Sequence, residues 1–257
     1  MTSGPAPAIT ACHRYSSRNH GEILGITAGH SPARPALHST ERQWERVKAN
    51  KGAPGVDGCS IEEFGKDLKN NLYKIWNRMS SGSYFPPPVL AVEIPKTHGG
   101  GTRILGVPTV ADRIAQTVAV RRLEAKVEPI FHPDSYGYRP GRSALHAVEA
   151  CRKRCWRKDW VIDLDIQKFF DSVRWDLVVK AVEANISDPW VVLYVKRWLE
   201  APLQLPDGTL QERDRGTAHK DQRFRLCWLI CSCITRSMRG WPGNSRVSRS
   251  SVTWTMR

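Results

Sequence analysis

The sequence predicts an α+β fold, and three observations carry that prediction. Two segments read as antiparallel hairpins, one turning at His98-Gly-Gly-Gly101 and the other around Pro206-Asp-Gly208. Between and around them lie stretches with apolar residues at helical spacing, several of them opened by good capping residues. The strands do not alternate regularly with helices, as a doubly wound parallel sheet would require.

Composition bounds the reading further. The 257 residues suffice for one ordinary domain or two small ones. No run of about 18 apolar residues occurs, so no membrane-spanning helix and no membrane partner is expected. The N-terminus lacks the basic-then-apolar pattern of a secretory signal, so a cytoplasmic location is expected. The odd set of seven cysteines then reads as reduced thiols rather than a disulfide framework. A formal charge of +14 points to a polyanionic partner, although residues 219–257 hold +7 of it.

In order along the chain, residues 1–40 are rich in Pro, Ser, Gly, Ala and His without apolar period, and are expected to be poorly ordered. A short amphipathic helix begins near Glu41-Arg-Gln-Trp44. Ser60 with Glu63 forms a capping box, and Ile61, Phe64, Leu68, Leu72 and Ile75 define one buried helical stripe. Ser81-Gly-Ser-Tyr-Phe-Pro-Pro-Pro88 ends that helix. Val89 to Ile94 and Thr102 to Val107 form the first hairpin. Thr109 caps a helix containing Val110, Ile114, Val118 and Leu123. A polar loop, 131–143, leads into a helix from about Ala144. Trp160 to Leu164 reads as a buried strand ending in charge, and Asp171 as the cap of a helix over Trp175 to Ile186. Ser187-Asp188-Pro189 starts another helix, before the second hairpin.

Chemistry concentrates at two places. Asp163 and Asp165 stand at the end of an apolar strand, where an unpartnered carboxylate is costly and a divalent cation is the best-suited partner. A strand of period two puts both on one face, so spacing does not choose between them. Lys96 and Arg103 bracket the glycine tip of the first hairpin; they read either as exposed charges or as a flap whose cations hold a triphosphate. Phe169-Phe170 reads either as core or as a steric wall beneath a nucleotide sugar.

These pieces belong to a larger series of blocks. Lys51-Gly-Ala-Pro-Gly-Val-Asp-Gly58 is followed by Ile94-Pro-Lys96 and Arg103-Ile-Leu-Gly-Val-Pro-Thr109 with Asp112-Arg113 and Gln116. Ser135-Tyr-Gly-Tyr-Arg-Pro-Gly-Arg-Ser143 and Asp165-Ile-Gln-Lys-Phe-Phe-Asp171 complete the series. In this order, from about Trp44 to Gly216, the chain resembles the N-terminal half of group II intron-encoded reverse transcriptases, the reverse transcriptase/maturase family. The resemblance implies the fingers and partial palm of a right-hand polymerase across 41–218, and RNA-directed DNA synthesis by nucleotidyl transfer. It implies that Asp165 is the first catalytic aspartate and the Ile166 carbonyl a second metal contact. Lys96 and Arg103 then hold the incoming triphosphate, and Phe170 is the wall against the sugar 2′ position. Two Mg2+ ions are the implied cofactors, and an intron RNA template, a DNA primer and dNTPs the implied partners. A retron-type or other bacterial reverse transcriptase is the neighbouring alternative.

The chain departs from that family after Gly216-Thr217. The expected P-Q-G-x-x-x-S-P-L-L-x-N block and the metal-binding Y-x-D-D turn are missing. A one-base shift of the reading frame permits both: Thr253-Trp-Thr-Met-Arg257 becomes Y-V-D-D-A, and Lys220 to Ile230 becomes Q-G-S-A-V-S-P-L-L-A-N. Residues 219–257 are therefore expected to be an out-of-frame tail, and the chain an inactive fragment. A non-catalytic RNA-binding remnant, gripping RNA near Arg139 and Arg142, is the second expectation.

Overall fold

The computed structural model describes residues 37–95, 101–137, 139–161 and 169–217. Residues 1–36 and 218–257, and with them most of the expected unordered N-terminal segment and the expected out-of-frame tail, lie outside the described residues. Helix α1 (Leu37–Asn50) begins four residues before the expected start and buries Trp44 and Val47. Trp44 stacks on Phe64 with ring centroids 5.3 Å apart, which fixes α1 against the next helical segment.

The single helix expected over the Ile61–Ile75 stripe is two: α2 (Ile61–Lys66) and α3 (Leu68–Ser80). Asp67 breaks the path with φ −122° and ψ 48°. Local side chains compete with the helical ladder there: the Asn70 amide donates to the Asp67 carboxylate at 2.9 Å, and the Asn71 amide to the Phe64 carbonyl at 3.0 Å. The stripe still buries Ile61, Phe64, Leu72 and Ile75, with Leu68 packed against them. The capping box is formed as expected: Ser60 Oγ accepts from the Glu63 N–H at 3.1 Å, and the Glu63 carboxylate accepts from the Ser60 N–H at 3.2 Å. Ser60→Ala should lower the unfolding free energy by about 1 kcal/mol, read as a shifted urea midpoint at unchanged m-value.

Helices α4 (Val110–Val127), α7 (Trp175–Asn185) and α8 (Pro189–Glu200) supply most of the rest of the main core. Thr109 caps α4 as expected, and Asp188 caps α8 with Pro189 in its first turn. Arg122 on α4 pairs with Asp188 at 2.9 Å and lies 4.8 Å from the Trp190 ring centroid, so α4 is tied to the start of α8. From its first turn onward, α8 also holds the C-terminus of α3, whose last carbonyls have no helical partner. Trp190 Nε1 and the Tyr194 hydroxyl both donate to the Met79 carbonyl, and Arg197 donates to the Gly82 and Tyr84 carbonyls.

Strands β1 (Val89–Pro95) and β2 (Thr102–Val107) pair antiparallel from Leu90 opposite Val107 to Pro95 opposite Thr102. The second hairpin, β3 (Leu203–Gln204) and β4 (Leu210–Gln211), extends the sheet to the order β2-β1-β3-β4, with β1 and β3 parallel. The class is α+β, as the sequence implies.

The first two residues of the strand expected to be buried are exposed, as is the helix before them. Helix α5 (Ala144–Cys155) starts at Ala144 with Ser143 as its cap, yet buries none of its residues. Leu145 is 79% and Val148 64% exposed, and beyond the helix Trp160 is 89% and Val161 65% exposed. The stretch read as a buried strand from Trp160 therefore opens uncovered. Apolar character buries a residue only where another element is present to cover it, and none of the described elements does so here. No described helix is long and apolar enough to cross a membrane.

Candidate active site

The β1–β2 hairpin is held at its base and open at its far end. Pro108 and Thr109, directly after β2, are packed by the Lys51–Gly58 loop. A side chain at Gly55 would stand 2.6 Å from the Thr109 nitrogen, so only glycine permits this approach. Arg113, one turn into α4, donates to the Ala53 carbonyl and packs beside Gly52. On the other side, the Val89 N–H donates to the Pro202 carbonyl at 2.9 Å, just before β3. Gly101, directly before β2, takes φ +84°. Arg103 sits opposite Ile94 and is exposed. Lys96 lies outside the described residues.

Below the hairpin base is a carboxylate that the sequence marks only as a motif residue. Asp112 is fully buried and accepts from the Tyr84 hydroxyl at 2.9 Å, the Trp198 Nε1 at 2.8 Å and the Gln116 amide at 2.8 Å. Burial pushes its carboxyl above the ordinary range, while the bonds from Trp198, Tyr84 and Gln116 oppose that rise. Burial and the same carboxylate push the Tyr84 hydroxyl well up. An acid and an amide four residues apart on an apolar helix were the available signal: two polar groups on one buried face must find partners.

The second part of the site joins two distant segments. Helix α6 (Phe169–Ser172) is met by the chain at 215–217: the Thr217 N–H donates to the Phe170 carbonyl and the Gly216 N–H to the Val173 carbonyl, both at 2.7 Å. The Trp175 indole donates to the Gly216 carbonyl at 2.7 Å. A small cavity of about 180 Å³ opens beside this junction, lined in part by Ile104, Asp171, Arg213, Arg215 and Thr217. Ile104 brings β2 to the cavity wall; Arg103 beside it alternates to the other pleat face. Phe170 is half-buried. Asp163, Asp165 and Ile166 lie outside the described residues.

Two expected roles are corrected by the geometry. Asp171 does not cap α7; it sits within α6, and Arg174 occupies the cap position without a side-chain bond. Arg139 is not a free RNA contact. Its side chain is 8% exposed, pairs with Glu128 at 2.8 Å, donates to the His132 and Ser135 carbonyls and lies 5.2 Å from the Phe131 ring centroid. It folds the 131–143 loop on itself. Arg142 is exposed, 5.4 Å from the Tyr136 ring centroid.

The described residues do not complete a magnesium site. Among them no group of three or more His, Cys, Asp or Glu is placed to hold a metal ion. Asp171, the one acid on the cavity wall, shares it with Arg213 and Arg215, whose charges disfavour a divalent cation.

Comparison with known proteins identifies a family. A family model described as "Reverse transcriptase (RNA-dependent DNA polymerase)" matches residues 94–231. Protein YkfC of Escherichia coli (strain K12) is 38% identical over 147 residues, covering 54% of this chain and 38% of that protein. Group II intron-encoded protein LtrA of Lactococcus lactis subsp. cremoris is 27% identical over 160 residues, covering 62% of this chain and 26% of that protein. A chain of the solved "Partial Cas6-RT-Cas1--Cas2 complex" aligns with 86% of this chain and 38% of its own length, at 20% identity and a TM-score of 0.49. The matched part therefore spans well under half of these proteins. With just over half of its own length matched by the family model, the chain belongs to the reverse transcriptase (RNA-dependent DNA polymerase) family.

Proposed function

We propose that this chain is the fingers and partial palm of a group II intron-encoded reverse transcriptase. Its intact form copies intron RNA into DNA from a DNA primer and dNTPs by nucleotidyl transfer. The observation that carries the reading is how separate motif blocks meet at the hairpin base. The Lys51–Gly58 loop seats on Pro108–Arg113, and so fixes the strand that carries Arg103. Arg103 offers a planar fork to a triphosphate, with Lys96 as its point-charge companion. Phe170 is assigned to the sugar wall, and Asp165 with the Ile166 carbonyl to the metal contacts.

Two magnesium ions are the expected cofactors of the intact protein. The remaining ligands belong to the turn recovered only in the shifted reading frame, so the chain as translated is proposed to be inactive. The uncovered faces of Leu145, Val148 and Val161 support an incomplete palm. Primer extension on an RNA template tests both statements. The chain as translated should give no incorporation, and the gene with its frame restored near Thr217 to Lys220 should give activity. Asp165→Asn should lower that activity on the order of 10³-fold, because a metal supplies several kcal/mol of charge stabilisation. Asp165-dependent incorporation by the chain as translated refutes its inactivity; a folded, frame-restored protein without incorporation refutes the polymerase reading.

A second reading, a non-catalytic RNA-binding remnant, draws on the exposed cations Arg103, Arg142, Lys153, Arg157 and Lys158. It requires salt-dependent RNA binding that Asp165→Asn leaves unchanged.

A further inference from the structure

Helix α5 carries a feature that polymerase chemistry does not use. Cys151 and Cys155, both half-buried and both thiols, stand one helical turn apart with their sulfurs 3.7 Å from each other. Between them in sequence lie Arg152, Lys153 and Arg154.

The spacing selects what this pair can do. Cβ atoms four residues apart on a helix are about 5–6 Å apart. A disulfide needs about 3.5–4.5 Å, so closing one would unwind the turn. A third atom between the sulfurs removes that restriction. At metal–sulfur bonds of about 2.3 Å, a linear two-coordinate ion holds its sulfurs about 4.6 Å apart, so the pair, now at 3.7 Å, opens by about 1 Å on binding, which rotation of the two thiols on Cβ atoms about 5–6 Å apart supplies. Ions that demand four donors are unsuited, because no described cluster supplies a third His, Cys, Asp or Glu. Soft ions satisfied by two thiolates remain, monovalent copper being the representative.

The surrounding charge agrees. Two thiolates and one monovalent cation carry a net negative charge, and Arg152 and Arg154 are the cations nearest the pair in sequence, since Lys153 pairs with Glu149 and lies on another helix face. Arg154, whose charge is held first by its bond to Asp134, also interacts favourably with Cys151.

We infer that Cys151 and Cys155 form a dithiol site on α5 that takes one soft, two-coordinate cation of the monovalent copper class. Both thiols lose their protons to solvent on binding, two S–metal bonds form, and no oxidation state changes.

The test uses the full chain under reducing, oxygen-free conditions, with Cu(I) titrated against a chromogenic Cu(I) chelator. A variant with Cys12, Cys59, Cys227, Cys231 and Cys233 changed to Ser should bind one equivalent. Adding Cys155→Ser should weaken that binding at least 100-fold. Moving the second thiol, with Lys153→Cys and Cys155→Ser in the same background, puts the sulfurs on different helix faces and should weaken it as much. In the otherwise natural chain, Cys151→Ser with Cys155→Ser should remove one equivalent, a comparison independent of how the five-serine variant folds. Absence of that difference overturns the inference, as does equally tight binding by the relocated pair.

Discussion

Replacing Asp112 with alanine should lower the unfolding free energy by about 3–5 kcal/mol. Three buried donors, the Tyr84 hydroxyl, the Trp198 indole and the Gln116 amide, lose their acceptor together. Each buried donor left unsatisfied costs about 1–3 kcal/mol, and neighbours do not add fully. Asp112→Asn keeps one acceptor oxygen and should cost about 1–2 kcal/mol. Urea denaturation of both variants checks the order; an alanine variant within 1 kcal/mol of wild type would show that the buried carboxylate is not a structural hub.

The same residue gives a pH dependence of determined sign. Its folded-state pKa is raised, with burial the largest cause. The associated stability is fully present below the unfolded value, about 3.9, and is lost as pH rises through the folded pKa. Wild type should therefore lose stability relative to Asp112→Asn as pH climbs from about 4. Denaturation midpoints of the two proteins measured across that window should diverge in this direction. The consequence for function follows from position: Asp112 ties the start of α4, and so the exit of β2, to α8 and the 81–84 loop.

Gly216→Ala should destabilise by about 2–4 kcal/mol through two causes that can be separated. Gly216 has φ +72°, which costs an L residue about 1–2 kcal/mol. A Cβ there would also stand 2.6 Å from the Asp171 carbonyl oxygen and 2.8 Å from that of Phe170. Both obstacles are backbone, so no side chain can swing aside. Gly208 is the internal control: it has φ +85°, but an added Cβ meets nothing within 4 Å. Gly208→Ala should therefore show only the conformational part. Amide exchange at Thr217, whose N–H is held by the Phe170 carbonyl at 2.7 Å, should accelerate in Gly216→Ala and stay slow in Gly208→Ala. Equal effects at the two glycines would mean that contact with α6 contributes nothing. Because the junction anchors Phe170, Gly216→Ala should also lower activity once the reading frame is restored.

Local chemistry was legible wherever the deciding partners lie within a few residues. Ser60 with Glu63, Thr109 and Asp188-Pro189 mark helix starts, since a cap closes over two or three residues. The two glycine-bearing hairpins were legible for the same reason, and the order of the motif blocks was enough to indicate the family. Asp67 was not legible as a break, because a continuous apolar stripe hides the Asn70 and Asn71 side chains that compete with the backbone. Arg139 read as a contact for RNA because its partners, Glu128 and the loop carbonyls, meet it only once the loop has closed.

The sequence alone determined the class, several capped helix starts and the chemical identity of the motif residues, all of which depend on short-range periodicity and capping. Tertiary structure alone decided that Gly52 and Gly55 seat a loop on α4, that Asp112 gathers donors from Tyr84 and Trp198, and that α5 lies uncovered. Each of these depends on which surfaces meet across 28 or more residues of chain, or on a covering element being present. No local pattern encodes that.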